Sequence, residues 1–119
     1  VIRNLVVNAI EHADGTPVTI TLAATETDVA CRVRDRGVGM TQEVADHVFD
    51  RFYRADTARA RTTGGTGLGL AIATEDVAIH GGRLQAYGEP GRGASFLMTL
   101  PKRAGEEIVS RPLALWEDE

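Results

Sequence analysis

Apolar residues recur at helical spacing from the first turn of the chain. Ile2, Leu5, Val6, Ala9 and Ala13 form one stripe, the pattern of a helix with a single buried face. Asn4, Asn8, Glu11 and His12 stand at i, i+4, i+7 and i+8 and share the opposite face. This helix is already under way at Val1, so the sequence reads as a piece of a longer protein. Asp14-Gly15-Thr16-Pro17 closes it with turn chemistry. The period then changes from helical to alternating. Val18, Ile20, Leu22 and Ala24 interleave with Thr19, Thr21 and Ala23, and Val29, Cys31 and Val33 interleave with Ala30, Arg32 and Arg34. These are two strands, joined by a hairpin at Thr25-Glu26-Thr27-Asp28.

Thr41 is placed to cap a short helix from Gln42 to about Phe49. Residues 50–66 have no period, and a loop of that length is either functional or disordered. Leu68 to His80 is helical in pattern and stops at Gly81-Gly82. Arg83 to Gly88 and Ala94 to Leu100 form a second strand pair across Glu89-Pro90-Gly91-Arg92-Gly93. The expected architecture is α/β (α+β): a two-layer sandwich with a mixed, mostly antiparallel sheet covered on one face by about three helices. Residues 1–101 make the domain, and residues 102–119, where the pattern fades, make an irregular tail.

Composition narrows the possibilities. A chain of 119 residues suits one core, and 43% hydrophobic with 25% charged residues is the balance of a globular domain. A net charge of -4 argues against a nucleic-acid partner. It leaves room for a phosphate site, which needs only local donors. Cys31 stands alone, so the chain has neither an intrachain disulfide nor a cysteine metal cluster. No apolar run reaches the roughly 18–20 residues that span a bilayer, and no signal peptide is visible.

Four segments carry candidate chemistry, each with a plainer alternative. Asn4 and Asn8 are either part of a solvated polar face or a source of hard oxygen ligands for Mg²⁺, which needs few protein ligands when phosphates supply the rest. Asp35 continues the inward parity of Val29, Cys31 and Val33, and a carboxylate there is costly without a partner. Either it starts a turn, or it accepts a hydrogen bond from the exocyclic amine of adenine. In the second case Gly37 and Gly39 admit backbone close to the base, and Met40 packs on the ring. Gly65, Thr66, Gly67, Leu68 and Gly69 open a helix and are either a hinge or an anion site built from free N–H groups and the helix dipole. No βαβ unit surrounds these glycines, which weighs against dinucleotide binding. Finally, Val48 to Arg54 is either a core plug or the anchor of a lid, with Tyr53 beside the nucleotide and Arg54 gripping the terminal phosphate.

In their order, these segments resemble the N, G1, F and G2 boxes of bacterial two-component sensor histidine kinases, across almost all of residues 1–100. The resemblance implies the Bergerat ATP-binding fold, shared with gyrase B and MutL ATPases, and ATP with Mg²⁺ as cofactors. It implies Asn8 as the Mg²⁺ ligand, Asn4 near the phosphates, Asp35 reading adenine, and Gly65, Gly67 and Gly69 lining the phosphates. Asn8 and Arg54 are then the catalytic residues, and the lid between Asp56 and Gly64, with Arg59 and Arg61, orders with nucleotide or partner.

Two positions depart from the family. Glu11 replaces a basic residue and would repel phosphate, so it points away or a lid arginine offsets it. His12 replaces a common Tyr and keeps a possible hydrogen bond to ribose or phosphate. The phosphoacceptor histidine of the family precedes an acidic residue, whereas His12, His47 and His80 precede Ala13, Val48 and Gly81. The implied reaction is therefore donation of the γ-phosphate to a histidine on an adjoining dimerisation domain, for relay to a response regulator aspartate. Hydrolysing relatives place a Glu four residues before the Mg²⁺ asparagine, and here that position is Asn4. The whole protein is implied to be homodimeric and membrane-anchored, with this domain in the cytoplasm. An anti-sigma-type serine kinase and a non-catalytic nucleotide-binding module use the same fold and remain alternatives.

Overall fold

The computed structural model describes residues 2–13, 15–50 and 69–116. In chain order its elements are α1 (Ile2–His12), β1 (Val18–Ala24), β2 (Asp28–Asp35), α2 (Gln42–His47), α3 (Gly69–Ile79), β3 (Arg83–Glu89) and β4 (Gly93–Pro101). The strands form one sheet in the order β1-β2-β4-β3, and all three described pairings are antiparallel. This is the expected two-layer sandwich.

The hairpins stand where the alternation places them. Thr25 N–H donates to the Asp28 carbonyl at 2.8 Å and closes the β1–β2 turn. Thr41 caps α2 by accepting from Val44 N–H, and the helix stops at His47, two residues short of the expected Phe49. At the end of α3, Gly81 donates to Ala78 and Gly82 to Val77, the paired bonds of a Schellman stop.

One face of the sheet meets the helices. Leu5 and Ala9 of α1 are fully buried, packing with Cys31 and Val33 of β2, Phe96 and Met98 of β4, and Val77 of α3. Burial pushes the Cys31 thiol above its ordinary pKa. Three expectations fail at the margin of this core. Ile2 of the apolar stripe is 45% exposed, and Ile20 and Leu22 on the inward side of β1 are 49% and 72% exposed. Periodicity gives the direction of a side chain, and only the neighbouring elements decide whether anything covers it.

Beyond Pro101 the chain forms no further helix or strand through Trp116, yet it lies against the other face of the sheet. Asp28 Oδ2 accepts from the amides of Val109 and Ser110 and from the Ser110 hydroxyl. Arg32 Nη1 donates to the Ala114 carbonyl at 2.8 Å, and the Ser95 hydroxyl donates to the Leu115 carbonyl at 2.6 Å. Arg32, Arg34, Ser95, Leu97 and Thr99 are consequently buried.

The Ser110 hydroxyl, with help from Thr27 and the two amides, holds the Asp28 carboxyl below its ordinary pKa against the opposing effect of burial. A carboxylate with a depressed folded pKa stabilises the fold above its unfolded pKa, and that contribution disappears as the pH falls through the folded value. In a carboxyl-carbon NMR titration, Asp28 should therefore titrate below the ordinary aspartate value. Ser110→Ala should move its midpoint upward; an unchanged midpoint would mean that Ser110 does not hold the carboxylate.

Candidate functional site

The end of β2 concentrates the polar chemistry. Asp35 pairs with Val18 across the β1–β2 ladder and points inward, as its parity predicts. It is 1% exposed. Its Oδ1 accepts from Gly37 N–H at 3.0 Å and Ala94 N–H at 3.3 Å. Its Oδ2 is buried and has no hydrogen-bond partner among the described residues. An unsatisfied buried acceptor is costly, so this oxygen can take a further donor.

The loop after Asp35 is fastened to the β3–β4 turn. Gly91 N–H donates to the Val38 carbonyl at 2.9 Å. Gly39 has φ +75°, and a Cβ there would lie 2.0 Å from the Glu89 carbonyl oxygen. Gly93 has φ +102°, and its Cβ would lie 2.0 Å from the Asp35 carbonyl oxygen. Only glycine fits either position. The close approach at Gly39 is thus to the protein's own hairpin. Met40 is buried and sits against Gly88, whose Cβ would meet the Met40 Cγ at 2.6 Å. Gly88, Gly93 and Ala94 therefore belong to this site, although the sequence reading treated them only as strand ends and a connection. The signal was the repeated glycine of Gly91-Arg92-Gly93, directly before a strand.

Asn4 and Asn8 lie on α1, which packs on β2, so they share the helical side of the sheet with Asp35. Asn4 is exposed, while Asn8 and Glu11 are half-buried. His12 is the last residue of α1. Gly69 is the first residue of α3. Val48 and Phe49 pack on the core, and the Phe49 ring meets Phe96 edge-on at 6.1 Å, so this end of the aromatic segment is a plug. Tyr53, Arg54, Arg59, Arg61, Gly65, Thr66, Gly67 and Leu68 lie outside the described residues. His47 Nδ1 is 2.8 Å from Asp50 Oδ2, and this bond raises the imidazole above its ordinary pKa. His80 bonds the Asp76 carbonyl. Both contacts are local to helix ends.

Residues 1–104 match the family described as histidine kinase-, DNA gyrase B-, and HSP90-like ATPase. The chain is 51% identical over 115 residues to the sensor histidine kinase MtrB of Mycobacterium tuberculosis, covering 97% of this chain and 20% of that protein. It is 44% identical over 102 residues to the signal transduction histidine-protein kinase AfsQ2 of Streptomyces coelicolor, covering 86% and 19%. The chain thus spans about a fifth of the length of these relatives. Among solved structures, full-length ShkA in complex with AMPPNP superposes with a TM-score of 0.71 at 29% identity, covering 87% of this chain and 21% of that one. The mycobacterial sensor histidine kinase MprB superposes with a TM-score of 0.70 at 28% identity, covering 85% and 67%.

Proposed function

Since this chain belongs to the histidine kinase-, DNA gyrase B-, and HSP90-like ATPase family and is of the sensor histidine kinase type, we propose that it binds Mg-ATP and donates the γ-phosphate to a histidine on an adjoining dimerisation domain. The observation that carries this reading is Asp35, whose Oδ2 is buried without a partner among the described residues, at the start of the loop that holds Gly37, Gly39 and the buried Met40. A buried acceptor suits a flat base with an exocyclic amine. The same acceptor would leave a base with a carbonyl at that position facing like polarity.

Around this anchor the remaining roles follow. Asn8, half-buried on α1, would hold magnesium through its amide oxygen, and the ion would supply neutralisation of the phosphate charge. Asn4 would lie near the phosphates, and the amides from Gly65 to Gly69 would line them. Arg54 would grip the γ-phosphate, and Tyr53 would flank the nucleotide. The chemistry asked of the protein is positioning and charge stabilisation. An imidazole nitrogen attacks phosphorus, the bond to the β–γ bridging oxygen breaks, and ADP leaves. No general base is needed to activate water, in keeping with Asn4 where hydrolysing relatives carry a Glu.

Residues 1–101 would form the catalytic domain, acting on the cytoplasmic side of a dimeric, membrane-anchored kinase that relays phosphate to a response regulator. No helix among the described residues is long and apolar enough to cross a membrane.

Asn8→Ala separates the base end of the site from its phosphate end. The variant should keep measurable ATP binding and lose phosphotransfer to an added acceptor domain by roughly 100-fold, a factor equivalent to about 2.7 kcal/mol of transition-state stabilisation. Wild-type phosphotransfer by the variant would remove Asn8 from the mechanism.

A further inference from the structure

The segment that crosses the outer face of the sheet ends on the residue beneath Asp35. Arg34 precedes Asp35 and points to the opposite face. Its Nε donates to the Asp35 carbonyl at 3.2 Å, and its Nη2 donates to the Arg92 carbonyl at 3.2 Å. One guanidinium thereby ties the two backbone segments that form the base end of the site. The Trp116 ring lies over this guanidinium, with Cζ 3.8 Å from the ring centroid. That is the geometry of a cation–π pair, and Arg34 is 5% exposed.

Trp116 is fixed in turn. Tyr87 meets it edge-on at 4.9 Å, and the Tyr87 hydroxyl donates to Glu89 Oε2 at 2.9 Å. Glu89 Oε1 accepts from Arg92 Nη1 at 2.8 Å, which returns the network to the residue whose carbonyl Arg34 holds. The backbone of the segment is pinned just before Trp116 by Arg32 and Ser95.

We propose that Trp116 and Arg34 are positioning residues for nucleotide-base recognition: the C-terminal segment clamps Arg34 from the outer face, and Arg34 sets the main chain that aims the Asp35 carboxylate. This rests on the reading of Asp35 as the base acceptor. Both would act through Asp35 and not on the nucleotide itself. A carboxylate aimed at one donor loses selectivity when its backbone gains freedom, whereas phosphate contacts on other elements do not.

The test uses the whole 119-residue chain and titrates ATP, GTP and inorganic tripolyphosphate by calorimetry, with thermal melts alongside. Trp116→Ala should weaken ATP binding roughly five- to tenfold and lower the preference for ATP over GTP by a similar factor, within the range by which remote contacts bias a site. Its tripolyphosphate affinity should stay at the wild-type value. Trp116→Phe keeps a ring over the guanidinium and should restore ATP affinity and preference. Arg34→Lys keeps the charge but not the planar fork that bridges two carbonyls, so it should reproduce the loss even if Trp116→Ala folds poorly.

Wild-type ATP preference in both Trp116→Ala and Arg34→Lys would overturn the proposal, as would an equal loss for ATP and tripolyphosphate. Asp35→Asn distinguishes the two layers of the argument. If it abolishes the ATP preference while the outer-face variants do not, the clamp is wrong and the base acceptor stands. If it too leaves the preference intact, the acceptor reading falls and takes the clamp with it.

Discussion

Asp35→Asn should bind ATP roughly 30- to 100-fold more weakly than the wild-type chain, while its melting temperature stays close to the wild-type value. The substitution keeps the shape of the side chain and can keep Oδ1, which accepts from Gly37 and Ala94. It replaces Oδ2, the buried oxygen with no partner among the described residues, by an NH₂ group. A donor then faces the amine of the base. The loss combines a hydrogen bond to a charged acceptor with the penalty of a buried unpaired donor, together about 2–3 kcal/mol, and each 1.4 kcal/mol is about tenfold in affinity. Calorimetric titration with ATP checks it. The change in stability should be small, because the fold loses no bond that Oδ2 was making.

Gly93→Ala, like Gly39→Ala, should damage the fold itself severely. At φ +102° the added Cβ would lie 2.0 Å from the Asp35 carbonyl oxygen and 2.7 Å from the Arg36 Cα. Both obstacles are backbone, so no side chain can swing aside. Left-handed backbone costs an L-residue about 1–2 kcal/mol, and overpacking adds about 1–3 kcal/mol. For a domain of this size the sum corresponds to a fall in melting temperature of about 10–20 °C. Gly91→Ala is the control. It has a similar φ of +79° with nothing within 4 Å, so it should cost only about 1 kcal/mol. Thermal melts of the two variants separate the collision from the backbone strain. A Gly93→Ala chain as stable as Gly91→Ala would mean that the loop after Asp35 does not pack against this turn. The surviving folded fraction of Gly93→Ala should also bind ATP poorly, because the carbonyl it displaces belongs to Asp35.

The sheet was legible because its signals are local. Alternation from Val18 to Ala24, a polar hairpin at Thr25 to Asp28, and renewed alternation to Val33 leave one register in which Val18, Ile20, Leu22 and Ala24 share a face with Cys31 and Val33. The inward direction of Asp35 followed from counting two residues past Val33. The outer-face segment was not legible for the opposite reason. Much of its fastening uses backbone groups, the amides of Val109 and Ser110 and the carbonyls of Ala114 and Leu115, and backbone groups carry no sequence signature. Val109, Leu113 and Leu115 have no period that marks a covering element.

Arg32 and Arg34 are a similar case. Alternation sets them on the face opposite Cys31 and Val33, yet they hold a neighbouring segment and lie buried beneath it. The glycines of the site were half legible. Gly39 was singled out for the approach of a base, and the structure shows that its lack of a side chain accommodates Glu89 of the adjacent hairpin. A residue's need for space can be read from sequence more easily than the identity of what fills it. Asn4 and Asn8 illustrate a further limit, since helical spacing puts them on one face but says nothing of what that face meets.

The central claim is that Asp35 and Asn8 belong to an ATP site whose product is a phosphorylated histidine. Its most direct measurement incubates the chain with γ-labelled ATP, Mg²⁺ and a separate helical-hairpin acceptor domain whose histidine precedes an acidic residue, and then follows the stability of the label. The account predicts transfer to the acceptor in an acid-labile, alkali-stable form, reduced by Asp35→Asn at ATP concentrations that just saturate the wild type and regained as ATP is raised. Label stable to acid, as on a serine, or no ATP binding by the intact chain with Mg²⁺ present, would contradict it.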